Sequence, residues 1–148
     1  MARVIGMERA EAAAALELAG VRLHRTDPGG DAPADVVASV LPEGARHIRA
    51  EVDIDVPEDA DSGMGAWHVN DVDEVHVVAS GEGIMEFVTL DGIVSVVVES
   101  GDVVEIRGAE HRYRPLSPQH WRLRFGGAAD QELVATATGR ASGHWPAP

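Results

Sequence analysis

Apolar residues recur along this chain with two different spacings, and the change falls near Arg46. Before it, MERAEAAAALELAG is dense in Ala, Leu and Glu, which lose little on entering a helix, and Gly20 stands where a left-handed stop belongs. VRLHR (21–25) alternates apolar and polar residues and predicts a short strand. DPGGDAP is a run of breakers, after which Pro33 is placed to open a second helix over PADVVASVL, with Asp31 or a neighbour as its cap. From Arg46 the period is two: Ile48, Ala50, Val52, Ile54 and Val56 fall on one face of a half-buried strand. Beyond the acidic loop PEDADSGMG, strands are predicted at 74–79, 84–90, 93–99, 103–106, 111–114 and 120–125. Their separators, SGEG, DG, SGD, RGAE and PLSP, carry turn chemistry, and Asp91-Gly92 is a strong hairpin signal. Short strands at this spacing predict an all-β sandwich or barrel with a small helical content. No repeat and no second domain is visible. The expected organisation is one domain over 1–148, with a helical segment at 1–45, a barrel at 46–138 and a flexible tail at 139–148 that Trp145 is fit to pin.

Composition narrows the partners. A formal net charge of −13 excludes nucleic acid as a partner, because phosphate binding needs clustered Lys and Arg, and it disfavours anionic membrane surfaces. No run approaches the roughly 20 apolar residues of a membrane helix, and MARVIGMERAE lacks the apolar centre of a signal peptide. A cytoplasmic protein is the expectation. Cysteine is absent, so disulfides, thiolate metal sites and a Cys nucleophile are all ruled out.

The chemistry concentrates in WHVNDVDEVHVV (67–78). On extended backbone His68 and Asn70 project to one side, and Glu74 and His76 do likewise. A bend at Asp71–Asp73 turns both pairs inward, and His111, at the start of a later strand, is positioned to join them. Two imidazoles and one carboxylate on one face of a metal ion leave positions open, an arrangement suited to non-haem Fe(II) oxygenases. Each residue also has a plain role: a metal-free relic for His68, Glu74 and His111, a turn residue for Asn70, and an interior His for His76. His76 is otherwise a fourth ligand or an acid/base group. Tyr113 shares the parity of His111 and reaches either the cavity or the core. Arg112, Arg114, Arg122 and Arg124 are expected on a solvated, salt-bridged face, unless Arg122 or Arg124 anchors a substrate oxyanion. Trp121, Leu123 and Phe125 are expected in the core. His24, His47, His120 and His144 are expected at the surface, and Glu58 and Asp59 in a mobile loop.

WHVNDVDEVHVVASGEGIMEFV followed by SGDVVEIRGAEHRYR resembles the cupin superfamily, whose first motif is His-x-His, a few residues, Glu and a turn ending in Gly, and whose second is Gly-Asp, a short strand and His. Within it the chain is most similar to the acireductone dioxygenase family. LELAGVRLHR resembles that family's helix-to-strand entry and WRLRFGG its closing strand, so the likeness runs from about Glu11 to Gly127. The resemblance implies a cupin-type antiparallel barrel or jelly roll behind two short helices. It implies a metal held by His68, Glu74 and His111, with Asn70 where the family has its second His and His76 where it usually has a substrate-contacting Arg.

The function implied is a metal-dependent oxygenase acting on a small enediol or hydroxyketone, with acireductone itself disfavoured by the change at His76. Fe(II) is the expected cofactor, with Ni, Mn or Zn as alternatives, and O2 and a small-molecule substrate are the expected partners. His76 and Tyr113 are the candidate catalytic groups. The alternatives are an isomerase, cyclase or lyase working through a Lewis-acid metal or through His76 alone, and a non-catalytic small-molecule binder. A homodimer through paired barrel edges is implied by the resemblance only.

Overall fold

The computed structural model describes residues 2–25, 46–52, 63–118, 120–126 and 134–148, with the backbone alone for 46–52. The chain runs through β1 (Arg3–Ile5), α1 (Arg9–Ala19), β2 (Val21–Arg25) and β3 (Arg46–Val52). A 3-10 turn at Gly63–Gly65 leads to β4 (His68–Asn70), β5 (Glu74–Ser80), β6 (Glu82–Thr89) and β7 (Gly92–Glu99). Then follow β8 (Asp102–Ile106), β9 (His111–Pro115), β10 (His120–Gly126) and β11 (Ala135–Ala137). The strands form two antiparallel sheets, ordered β1-β7-β6-β9-β4-β11 and β2-β8-β5-β10-β3. This is the double-sheet barrel that the strand spacing predicts. The second helix expected over 33–41, its cap at Asp31, strand positions 53–56 and the Glu58–Asp59 pair lie outside the described residues.

The main core fills the space between the sheets. Val78, Val104 and Ile106 face inward from one sheet, and Met85, Phe87, Val94, Val96, Val98 and Tyr113 from the other. α1 lays Ala12, Ala15 and Leu16 on the same cluster. Gly20 ends the helix at φ 87° and donates to the Glu17 carbonyl. A Cβ there would lie 2.5 Å from the Arg107 carbonyl oxygen, so both the conformation and the space demand glycine. Thr89 pairs with Gly92, so the β6–β7 turn is Leu90-Asp91, one residue earlier than the Asp-Gly signal suggests. β1 and β11 are not anticipated from the sequence, because three residues are too few to establish a period.

Strand β10 reverses an expectation. His120 and Arg122 are buried, while Leu123 and Phe125 are half-buried on the outer face against Val75, Val77 and Val103. The cause is register: Arg122 pairs with Val78 and Arg124 with His76, on a strand whose inward residues are Glu74, His76 and Val78. His120, expected at the surface, stacks on Tyr113 with ring centres 5.5 Å apart and meets the Ser80 carbonyl through Nδ1 at 2.9 Å. His24 stays partly exposed beside Glu105, and His144 is exposed. His47 lies on β3, where the backbone alone is described.

Arg112 points outward from β9 and is nevertheless buried, not solvated. It donates to Glu86 through Nε and Nη2, and to the carbonyls of Gly143 and His144. Its guanidinium lies 3.9 Å from the ring centre of Trp145 and 5.0 Å from that of Trp67. Trp145 in turn packs with Ile84 and Val97, which ties the C-terminal segment to the six-stranded sheet. Truncating this anchor removes a buried indole and opens the cover over a buried charge. Trp145→Ala is expected to lower unfolding stability by about 3 kcal/mol, read from urea denaturation midpoints; a change within error would show that the tail does not stay docked in solution.

Candidate metal centre

A cavity of about 350 Å³ opens between the sheets at one end of the barrel, lined by His68, Asn70, Glu74, His76, His111, Tyr113, Arg122 and Arg124, with Gly63, Met64, Ala66, Ala135 and Ala137 also on its walls. β5 presents Glu74 and His76 two residues apart on its inner face. β9 presents His111 from the opposite sheet, paired in register with His68 of β4. Glu74, His76 and His111, all buried, bring one ligand atom each to within 4.8 Å of one another, a group that fits a metal ion. The triad expected from the sequence was His68, Glu74 and His111. In the tight group His76 stands in place of His68, whose ring centre lies 4.4 Å from that of His111. Strand parity brings His76 in, since Glu74 and His76 share one face of β5.

Proton positions follow from the partners. His111 Nδ1 lies 2.8 Å from the Ala109 carbonyl, and His68 Nδ1 lies 2.7 Å from the Ala66 carbonyl. A carbonyl only accepts, so both rings carry hydrogen on Nδ1, and a neutral ring then turns a bare Nε2 lone pair into the cavity. Such a backbone-fixed tautomer is how metal-ligating imidazoles are oriented. His111 Nε2 sits 3.2 Å from Glu74 Oε1. Two lone pairs at that distance repel unless a proton or a cation lies between them.

His76 differs. Arg122 Nη1 lies 3.0 Å from its Nδ1, and guanidinium only donates, so Nδ1 accepts and the proton of a neutral ring is on Nε2. That Nε2 is 2.8 Å from Glu74 Oε1, yet it is off the hydrogen-bond axis and has no aligned acceptor. To ligate a metal, His76 must exchange tautomer and give up the contact from Arg122. His68 and His111 need no such change.

Asn70 is buried, and its Nδ2 donates to Glu74 Oε1 at 2.7 Å. It braces the carboxylate. Glu74 Oε2 has no hydrogen-bond partner among the described residues, and Arg124 Nε stands 3.8 Å away. Tyr113 places its ring on the cavity wall, under the Arg122 guanidinium at 4.3 Å. Its hydroxyl lies against Gly83, where a Cβ would come within 2.5 Å of it. Two features escaped the sequence reading: the joint presence of Arg122 and Arg124 on the cavity wall, and the carbonyls that set the His rings. The latter had a signal, since AWH and AEH place Ala two residues before each His.

Burial alone raises the Glu74 carboxyl, but His76 and His111 beside it outweigh burial and hold the group well below the usual carboxylate range. Burial pushes His76 down to about 4 against the pull of Glu74. Burial and the neighbouring His111 also lower His68. Burial and the like charge of Arg124 bring Arg122 down to about 10, still charged at neutral pH. An ionised carboxylate beside neutral imidazoles is the protonation state a cation requires.

No family model and no curated protein matches the sequence. Solved structures do. An acireductone dioxygenase from Bacillus anthracis with a cadmium ion in its active centre is 16% identical and has a TM-score of 0.59, over 91% of this chain and 96% of that one. A mutant of Bacillus subtilis oxalate decarboxylase is also 16% identical and covers 65% of this chain and 29% of its own, with a TM-score of 0.42. The first likeness is one of fold: this chain has a cupin-type barrel fold.

The low value for His76 fixes a sign. Its native-state pKa of about 4 lies below the ordinary value of 6.5, so the unfolded chain binds more protons between the two. The contribution is therefore complete above about pH 6.5 and is lost as pH falls through about 4, with His68 and Glu74 acting in the same direction. Denaturant midpoints of metal-free protein are expected to fall across this window, by up to about 3 kcal/mol from His76. His76→Gln is expected to flatten the slope; an identical slope in that variant would contradict a neutral, buried imidazole.

Proposed function

We propose that this cupin barrel is a metal-dependent enzyme whose divalent ion is held by Glu74 and His111, together with His68 and, after tautomer exchange, His76. We further propose that it oxidises a small enediol or hydroxyketone-type molecule with O2. The observation that carries the metal is the approach of His111 Nε2 to Glu74 Oε1 at 3.2 Å while Nδ1 serves the Ala109 carbonyl. A proton or a metal ion between the two atoms makes that contact favourable, and a metal does so with Glu74 ionised. Nitrogen and carboxylate donors with open positions suit Fe(II), and Ni, Mn or Zn are compatible with the same set. The acireductone dioxygenase of like fold, with cadmium in its active centre, supports a metal site in this fold.

Bound iron would supply redox power and polarise a chelating substrate. The protein supplies the rest. Ala66 and Ala109 lock two imidazoles in the ligating tautomer, and Asn70 holds the Glu74 carboxylate still. The cavity volume admits a small molecule only. Where His76 keeps its Arg122 contact and does not ligate the ion, its Nε2 hydrogen, which lacks an aligned acceptor, is placed to be given up and regained. The same chain of contacts favours a second reading, in which the metal acts as a Lewis acid and His76 moves the proton in an isomerase, cyclase or lyase reaction without O2.

Elemental analysis of protein purified without a metal-affinity tag is expected to find near-stoichiometric Fe, Ni, Mn or Zn. Glu74→Ala is expected to lose it, and His76→Gln to weaken binding by roughly tenfold. Asn70→His adds an imidazole beside Glu74 and is expected to tighten binding. A wild-type protein without metal, and without a gain in melting temperature on adding any of the four, would sink the metal reading. Turnover that proceeds equally well without oxygen would leave the non-redox reading in its place.

A further inference from the structure

We propose that Arg122 and Arg124 form a carboxylate-binding wall in this cavity, and that the substrate is a small 2-oxo or 2-hydroxy acid, in keto or enol form. The inference deepens the reading of the cavity as a substrate site and does not depend on which metal it holds.

The protein contains its own standard for a buried structural arginine. Arg112 has a carboxylate partner in Glu86, two backbone carbonyls and two indole rings around it. Arg122 is equally buried and has nothing comparable. Among the described residues its one hydrogen-bonded side chain is His76, a neutral acceptor, and its Nε has no partner. Arg124 is partly exposed, but its Nε is buried without a hydrogen bond, and Glu74 Oε2 lies 3.8 Å from it. A buried guanidinium nitrogen without an acceptor is costly in an interior built only for stability.

Charge makes the same point. Among the described residues Glu74 is the one carboxylate on the cavity wall, against two guanidiniums, and Asn70 and two imidazoles already crowd its Oε1. A divalent ion would enlarge the positive excess. An anionic ligand would balance that excess. Its position follows from the sheet: Arg122 and Arg124 share the inner face of β10, and Arg124 pairs in register with His76 on the strand that carries Glu74. The Tyr113 ring supports the Arg122 guanidinium from below. A planar guanidinium fork matches a planar carboxylate. An oxygen next to that carboxylate would then face Glu74 and His111, so the acid and its neighbouring keto or hydroxyl oxygen belong on adjacent carbons.

Pyruvate and hydroxyacetone test this, because they share a three-carbon skeleton and a ketone and differ in the charged end. Their dissociation constants would be measured by calorimetry on the isolated chain with its metal content recorded, and inorganic phosphate would serve as a third probe. Pyruvate is expected to bind at least about tenfold tighter than hydroxyacetone. Arg124→Gln, at a partly exposed side chain that tolerates change, is expected to weaken pyruvate by about tenfold while leaving hydroxyacetone and metal content as in the wild type. Arg122→Lys keeps the charge without the fork and is expected to weaken pyruvate too. Equal binding of the two ketones, or indifference of pyruvate to Arg124→Gln in metal-loaded protein, would overturn the proposal. Phosphate binding tighter than pyruvate would overturn the carboxylate assignment. The charge preference in a protein that holds no metal would uphold this inference and refute the metal reading.

Discussion

The Glu74 carboxylate, buried to 1% exposure, is the constraint around which this barrel end is organised. An ionised carboxylate in an interior must be met by donors or cations. Here one oxygen faces Asn70, His76 and His111, and the other faces the region of Arg124 without a hydrogen bond. The imbalance between the two oxygens gives the cavity its chemistry. One side is poised to share a cation with the imidazoles, and the other opens toward guanidiniums that are themselves short of acceptors.

The barrel can carry such a site because its interior is divided. From Val78, Val104 and Ile106 across to Met85, Phe87 and Val96, the space between the sheets is apolar. The same strands continue into the polar end, β5 through Glu74 and His76, β9 through His111 and β10 through Arg122. The packed end fixes the register, and register holds the polar side chains at their separations. Two polar groups outside the cavity serve the frame instead. Arg112 joins Glu86 to the C-terminal segment, and Asp102 accepts from the Ala2 and Glu99 amides and from Arg25. These groups have acceptors and donors in full view, which is what sets them apart from Arg122 and Arg124.

The sequence by itself determined a good deal. Period-two runs and turn chemistry placed β5 to β10 within a residue or two, and Gly20 marked the end of α1. The spacing of His68, Glu74, His76 and His111 marked the polar end of the barrel, because residues two apart on a strand must share a face. What it left open was which face turns inward. In WRLRF both parities are credible, and the apolar set was the natural choice for the core. The tertiary structure decided otherwise, because pairing with β5 turns Arg122 and Arg124 into the cavity and leaves Leu123 and Phe125 to an outer cluster. Likewise, only packing revealed that His120 stacks under Tyr113, and that His76 rather than His68 falls within 4.8 Å of both Glu74 and His111. Periodicity sets the two faces of a strand; the register against its neighbours assigns one of them to the interior, and a one-residue slip exchanges the two.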